Sequence, residues 1–185
     1  TIHDLIPLKY PDLFPVGKRG RLSYLHQRYS LKSVKQVVAV SNACKSDLIS
    51  ILNVDESKIS VVHEGANKVN QPRDRKSLKA FISKHHLPDK FFAYVGDINF
   101  NKNLSRLIEA IGKNKPHKLV IVTRAEIHSD IPEAVALRQS ISKHTRQEQV
   151  IFVKLDTADE LAYFYNCADW YIQPSIDEGF GLPVL

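Results

Sequence analysis

The chain has no methionine and only two cysteines, and nowhere does it string together the apolar residues that a membrane span needs. Each shortage excludes something. Without a run of about 18 apolar residues, no transmembrane helix is expected. Residues 1–15 also lack a basic start followed by an apolar stretch, the pattern of a secretory leader. Cys44 and Cys167 stand far apart and match no metal-site spacing. Both fall in helical patterns rich in apolar residues, so the expectation is two free, buried thiols in a reducing cytoplasm. A natural reading frame begins with Met and this chain begins with Thr1, so it is expected to be a piece of a longer protein.

Acidic residues are missing altogether between positions 18 and 35, where Lys18, Arg19, Arg21, Arg28, Lys32 and Lys35 cluster. These cations supply part of a formal net charge of +6. A solvated basic face explains them, and so does an anionic membrane surface or a phosphate-bearing substrate. Nucleic acid is not expected as a partner, because no nucleic-acid motif occurs and the basic stretch has no stacking-aromatic pattern.

What is present is the composition of a soluble globular protein, 43% hydrophobic and 25% charged, which suits a chain that builds a sizeable core. Residues 91–185 carry the clearest pattern. Short apolar runs at 91–95, 119–122, 150–153 and 170–172 read as strands. Between them lie helical patterns. Leu104, Leu107, Ile108 and Ile111 mark one face of a helix over 102–112, Pro132 opens another over 132–144, and a third covers 158–168. Strands alternating with helices predict a parallel sheet covered on both faces. Residues 37–40 and 59–63 read as strands flanking a helix over 43–52. The polar stretch 64–77 reads as a linker, and a basic amphipathic helix follows over 78–86. The expected division is therefore 1–63 as the end of one α/β domain, 64–77 as linker, and 78–185 as most of a second. No internal repeat is evident.

In an open parallel sheet, ligands bind beyond the carboxyl ends of the strands. Three loops stand there. The first runs from Gly96 through Asp97 to Lys102 and Asn103, from a strand end into a helix start, where unpaired N–H groups and a lysine suit a phosphate. On spacing alone an ordinary loop with an exposed lysine also fits. The second runs from Pro174 to Pro183. Gly179 and Gly181 flank Phe180 and let the backbone approach a ligand, and Glu178 offers a carboxylate to sugar hydroxyls. The third is Thr1-Ile2-His3-Asp4, in which a histidine stands ready as a base or as an orienting group. An ordinary loop histidine fits there as well, and Ser41-Asn42 closes a strand in the same way.

The stretch Pro174 to Leu185, with its Glu-Gly-Phe-Gly-Leu-Pro core, resembles the donor-site signature of retaining family 4 glycosyltransferases (glycosyl transferases group 1). The resemblance extends over nearly the whole chain. His3-Asp4-Leu5-Ile6-Pro7-Leu8 resembles the family's acceptor-side segment, and Val40-Ser41-Asn42 resembles the last βα unit of its amino-terminal domain. Gly96 with Lys102-Asn103 resembles the first βα loop of its donor domain, and Leu161 to Ser175 its helix, Ala-Asp and Pro-Ser run. The family signature continues, after seven intervening residues, to a second glutamate; this chain ends one residue short of it. An arginine often follows the glycine of the first loop, where this chain has Asp97.

The resemblance implies a GT-B architecture of two Rossmann-like α/β domains with parallel sheets. It implies transfer of a hexose, mannose by weight of the family, from a GDP- or UDP-sugar to a glycan or lipid-linked acceptor, without metal or other cofactor. His3 and Glu178 would face the transferred sugar and acceptor. Gly96, Lys102, Asn103, Gly179, Phe180, Gly181 and Leu182 would bind the donor. The protein would be cytoplasmic, with peripheral contact to the inner face of the membrane through 18–35, and the piece alone would be inactive. Two other readings stay open: a non-catalytic glycosyltransferase-like binding protein, which Asp97 favours, and an NDP-sugar epimerase. A dinucleotide dehydrogenase fits poorly, since no Gly-x-Gly-x-x-Gly loop follows any strand.

Overall fold

The structure, a computed structural model, describes residues 1–14, 17–113, 117–146 and 148–185. In the helix that carries the basic stretch, the side chains of Lys18, Arg19, Arg21 and Lys32 lie outside the described residues. The chain forms two compact units. Unit 1 holds residues 1–65, 177–183 and 185, and unit 2 holds residues 66–176 and 184.

In unit 1 the elements run α1 (Ile6–Lys9), α2 (Lys18–Ser33), β1 (Val37–Ala39), α3 (Asn42–Leu52) and β2 (Ile59–Val61). Strands β1 and β2 pair in parallel, and Ile2 adds a parallel bridge to Ala39. Helix α3 starts where Ser41 leaves the strand: its hydroxyl accepts the Cys44 N–H at 3.0 Å, filling one of the orphan donors of the first turn. The helix ends at Asn53, which takes the left-handed conformation (φ 52°) that asparagine tolerates. Cys44, Leu48 and Leu52 pack from α3 onto Val37, Ala39 and Ile59. Cys44 is a free, buried thiol, and burial pushes its pKa up.

Unit 2 runs α4 (Arg75–Lys84), β3 (Phe92–Val95), α5 (Leu104–Lys113), β4 (Leu119–Val122), α6 (Pro132–His144), β5 (Val150–Val153), α7 (Ala158–Cys167) and β6 (Trp170–Tyr171). All four strands are parallel, in the order β5-β4-β3-β6. The chain therefore moves outward from β3 to β4 to β5, then crosses back to add β6 on the other side of β3. The residues of β4 show why its run is continuously apolar: Leu119 and Ile121 join a core with α5 and α6, whereas Val120 and Val122 join a second core with Phe81 of α4 and Phe164 of α7. Both faces of β4 are buried, as its unbroken apolar run predicts, whereas Phe152 of β5 and Trp170 of β6 are exposed at the sheet's edges.

Most boundaries fall within one or two residues of the sequence reading. One start departs by three residues, and another by the full two. The helix expected from residue 78 starts at Arg75, because Asp74 accepts the N–H groups of Lys76 and Ser77, each at 3.0 Å. The helix expected from residue 102 starts at Leu104. A 3-10 turn covers Phe100–Lys102, and Asn103 (φ 56°) breaks the path between turn and helix. Helices α1 and α2 lie outside the sequence reading. In α2, Leu22, Leu25 and Tyr29 are exposed, so their spacing marks no buried face. Asp177–Pro183, read from sequence as part of the second domain, is grouped with unit 1.

Ile108 has no exposed surface and sits in the α5/α6 core. Ile108→Ala is expected to lower unfolding free energy by about 2–5 kcal/mol. Urea denaturation checks this, and a loss under about 1 kcal/mol would contradict the packing described.

Candidate functional site

The carboxyl ends of β3, β4 and β5 open onto a cleft of about 390 Å³ in unit 2. That volume lies within the range of small-molecule sites. Gly96, Asp97 and Lys102 line it after β3, Thr123 and Arg124 after β4, and Asp156 to Ala158 at the amino end of α7. Its charged groups are two cations, Lys102 and Arg124, and two carboxylates, Asp97 and Asp156.

Local chemistry shapes this rim. Gly96 has φ +151°, and a Cβ there would stand 2.8 Å from the Tyr94 hydroxyl. That hydroxyl is buried and donates to the Asp97 carbonyl at 2.7 Å, while the Gly96 N–H donates to Val122 at 3.0 Å. A glycine is therefore required where β3 turns out of the sheet. Lys102 rides on the 3-10 turn. Asn103 is absent from the cleft lining; its amide donates to the Pro174 carbonyl at 3.0 Å, and the Ile176 N–H donates to the Asn101 carbonyl at 2.9 Å. Those two bonds hitch the chain leaving β6 to the loop that carries Lys102. At α7, the Thr157 hydroxyl caps the first turn by accepting the Glu160 N–H. Asp159 and Glu160 stand in that turn and offset part of its positive end.

Unit 1 contains the second cluster. His3 Nδ1 lies 3.0 Å from Glu64 Oε1, and the imidazole is 67% exposed. The Nδ1 edge of the ring meets that carboxylate, and Nε2 lies on the opposite side of the ring. Asp4, the sequence neighbour, is used differently: its carboxylate accepts the Ile6 N–H at 3.1 Å and starts α1.

The segment from Asp177 to Pro183 is seated within the same unit. The Ser41 hydroxyl donates to the Gly179 carbonyl at 2.5 Å. Gly179 itself passes so close to the His3 backbone carbonyl that any Cβ would collide with it. Phe180 packs against the unit 1 core and against the His63 ring, 5.8 Å between centroids. Gly181 takes φ +87°, and Leu182 to Val184 close into a single 3-10 turn rather than a longer helix. Glu178 is half-buried between these tethered neighbours.

The residues proposed from sequence thus fall into two groups. Gly96, Lys102 and Asn103 belong to unit 2. His3, Glu178, Gly179, Phe180, Gly181 and Leu182 belong to unit 1. Sequence reasoning missed Thr123, Arg124 and the Asp156 to Ala158 turn, although each follows a strand end as Lys102 does. It also missed Glu64, whose pairing with His3 has no signature along the chain. Among the described residues no group of three or more His, Cys, Asp or Glu is placed to hold a metal ion.

Residues 75–185 match the sequence model of a family described as Glycosyl transferases group 1. The O-antigen chain mannosyltransferase RfbU of Salmonella typhimurium is 31% identical over 99% of this chain, which spans 47% of that protein's length. Among solved structures, sucrose-phosphate synthase from Thermosynechococcus elongatus superposes with a TM-score of 0.74 at 20% identity, over 98% of this chain and 45% of that one. The Anabaena protein HepE, solved in complex with UDP and glucose, gives 0.70 at 16% identity, over 83% and 44%. The chain therefore spans about half the length of these relatives. The two structural likenesses bear out the α/β GT-B fold with parallel sheets.

Gly179→Ala is expected to unseat the loop and speed chymotryptic cleavage after Phe180, read by mass spectrometry. Gly65→Ala, where nothing lies within 4 Å of a Cβ, serves as the control and should leave the rate unchanged. Equal rates in both would contradict the close approach to His3.

Proposed function

Because the chain belongs to the glycosyl transferases group 1 family, we propose that its protein is a retaining glycosyltransferase that moves a mannose-like hexose from a GDP- or UDP-sugar to a glycan or lipid-linked acceptor. The observation that carries this reading is the cleft at the strand ends, where Gly96 admits close backbone approach and Lys102 and Arg124 converge. Breaking the sugar–phosphate bond builds positive charge on the ring and negative charge on the departing diphosphate. Preorganised cations stabilise that second charge. The acceptor hydroxyl attacks from the face the diphosphate leaves, and a leaving phosphate oxygen takes its proton. In this reading Glu178 faces the transferred sugar, and His3, held at Nδ1 by Glu64, offers Nε2 to a sugar or acceptor hydroxyl. Phe180 anchors the loop, so that backbone N–H groups from Gly179 to Leu182 meet the donor. The assignment to mannose rests on the likeness to RfbU. The 185-residue chain, about half the length of its relatives, is proposed to be inactive alone.

The test uses the full-length protein, GDP-mannose and UDP-glucose, and calorimetric titration. Lys102→Ala and Arg124→Ala are each expected to weaken binding of the preferred donor about tenfold or more, as for loss of a charge-assisted hydrogen bond. Glu178→Ala is expected to lower kcat more than donor affinity. Unaltered donor binding in both cleft variants would overturn the assignment. Asp97 lines the cleft next to Gly96 and favours a second reading, a non-catalytic donor-binding protein. Any turnover by the full-length protein eliminates it.

Peripheral attachment to an anionic lipid surface on the cytoplasmic side is part of the same proposal. Leu22, Leu25 and Tyr29 recur at one helical stripe of α2 and are 67%, 52% and 71% exposed, on a helix whose charged residues are all basic. That combination complements anionic headgroups over an acyl boundary. Among the described residues no helix is long and apolar enough to cross a membrane. The full-length protein is expected to co-sediment with phosphatidylglycerol vesicles but not phosphatidylcholine ones, and Leu22→Ser with Leu25→Ser should release it. Equal sedimentation with both lipids, or with both proteins, would dispose of the idea.

A further inference from the structure

Asp177 immediately precedes Glu178, and its carboxylate is the hub of a cluster that the reading above leaves unused. Lys9 Nζ lies 2.8 Å from Asp177 Oδ2, and the Tyr10 hydroxyl donates to the same oxygen at 3.2 Å. Lys9 also reaches Asp47 of α3 at 3.3 Å. The side chains of Asp177 and Asp47 are only 13% and 18% exposed. An isolated surface ion pair contributes about 0–1 kcal/mol. This one differs in three ways: its carboxylates are largely covered, Lys9 is shared between two of them, and Asp177 also takes the Tyr10 hydroxyl from 167 positions away in sequence. Lys9 is held in its ammonium form, its pKa raised chiefly by the hydrogen bond to Asp177.

The position of the cluster matters more than its strength. On the other side of Glu178, Gly179 is fixed by the Ser41 hydroxyl and by close approach to the His3 carbonyl. Glu178 is therefore bracketed: the residue before it is tied through its side chain and the residue after it through its backbone. Two tethers on adjacent residues leave little freedom to the peptide units that aim the Glu178 carboxylate. The same α1 turn that supplies Lys9 is started by Asp4, the neighbour of His3. One short turn thus follows directly on the His3–Asp4 segment and carries the Asp177 tether.

We propose that Asp177 is a positioning residue for transfer: gripped by Lys9 and Tyr10, it fixes the backbone that presents Glu178, and this grip sets turnover rather than donor affinity. The inference rests on the glycosyl-transfer reading for its consequence, and on the described geometry alone for the tether.

The experiment uses the full-length protein with Lys9→Met, Lys9→Arg, Asp177→Asn and the exchange pair Lys9→Asp with Asp177→Lys. Asp177→Asn leaves Lys9 its Asp47 partner, so folding is not at stake. Asp177→Asn and Lys9→Met are expected to cut kcat about tenfold to hundredfold, as for a small misplacement of a reacting group, with the donor KM little changed. The Lys9→Arg variant and the exchange pair should recover most of the loss. In parallel, amide hydrogen exchange at Gly179 and Phe180 is followed in each variant. Acceleration in Asp177→Asn, reversed in the exchange pair, supports the tether even if no sugar is transferred by wild type, an outcome that would sink the functional reading by itself. Unchanged exchange in Asp177→Asn overturns the proposal. So does a wild type that turns over while both single variants keep its kcat or lose only donor KM.

Discussion

A parallel strand cannot return to its neighbour by a tight turn, so β3, β4 and β5 are each followed by a crossover helix. Everything else about the unit depends on this. The helices have to cover the sheet on both faces, which β4 satisfies by sending Leu119 and Ile121 to one core and Val120 and Val122 to the other. The chain has to leave every strand at the same edge, which brings the loops after β3, β4 and β5 around one cleft. The order β5-β4-β3-β6 then reverses the direction of travel at β3, so the Gly96 loop stands where strand order switches, the place where open α/β sheets bind ligands.

Unit 1 solves a different problem, the placement of a loop with few side chains to hold it. Gly179, Phe180 and Gly181 offer one aromatic ring between two glycines. The ring goes into the core beside His63, and the backbone is held by Ser41 and by contact with His3 that only glycine permits. Ser41 serves twice, accepting from Cys44 to cap α3 and donating to Gly179. The carboxylates of this region likewise divide their labour. Asp4 accepts from the first N–H of a helical turn, Glu64 meets His3 at Nδ1, and Asp177 meets a lysine and a tyrosine. Glu178 remains in the loop itself, between two fixed neighbours.

How much of this was legible beforehand follows from the range of the interactions. The strands and helices of unit 2 announce themselves because their periodicity is local and both cores are apolar. The start of α4 was misplaced because Asp74 makes a cap out of a stretch that otherwise looks like linker. Helix α2 is not legible because Leu22, Leu25 and Tyr29 are exposed and only Leu31 packs on the unit 1 core, so the spacing reports no buried face. The glycine–glutamate loop was recognisable as a motif, yet nothing in it says that Asp177 would meet Lys9 or that Phe180 would anchor in the first unit's core. Arg124 is legible in principle, since it stands just beyond the carboxyl end of β4 as Lys102 stands beyond that of β3. Glu64 is not, since its partner lies at the other end of the unit 1 sequence.

The cleft beyond β3, β4 and β5 is proposed to take a nucleotide diphosphate. The most direct measurement is a hydrogen–deuterium exchange footprint of GDP and of UDP on the full-length protein. Protection by one of the two is expected at residues 95–97, 102–103 and 122–124 and at the amino end of α7. Protection confined to other segments, or none with either nucleotide at saturating concentration, would contradict it.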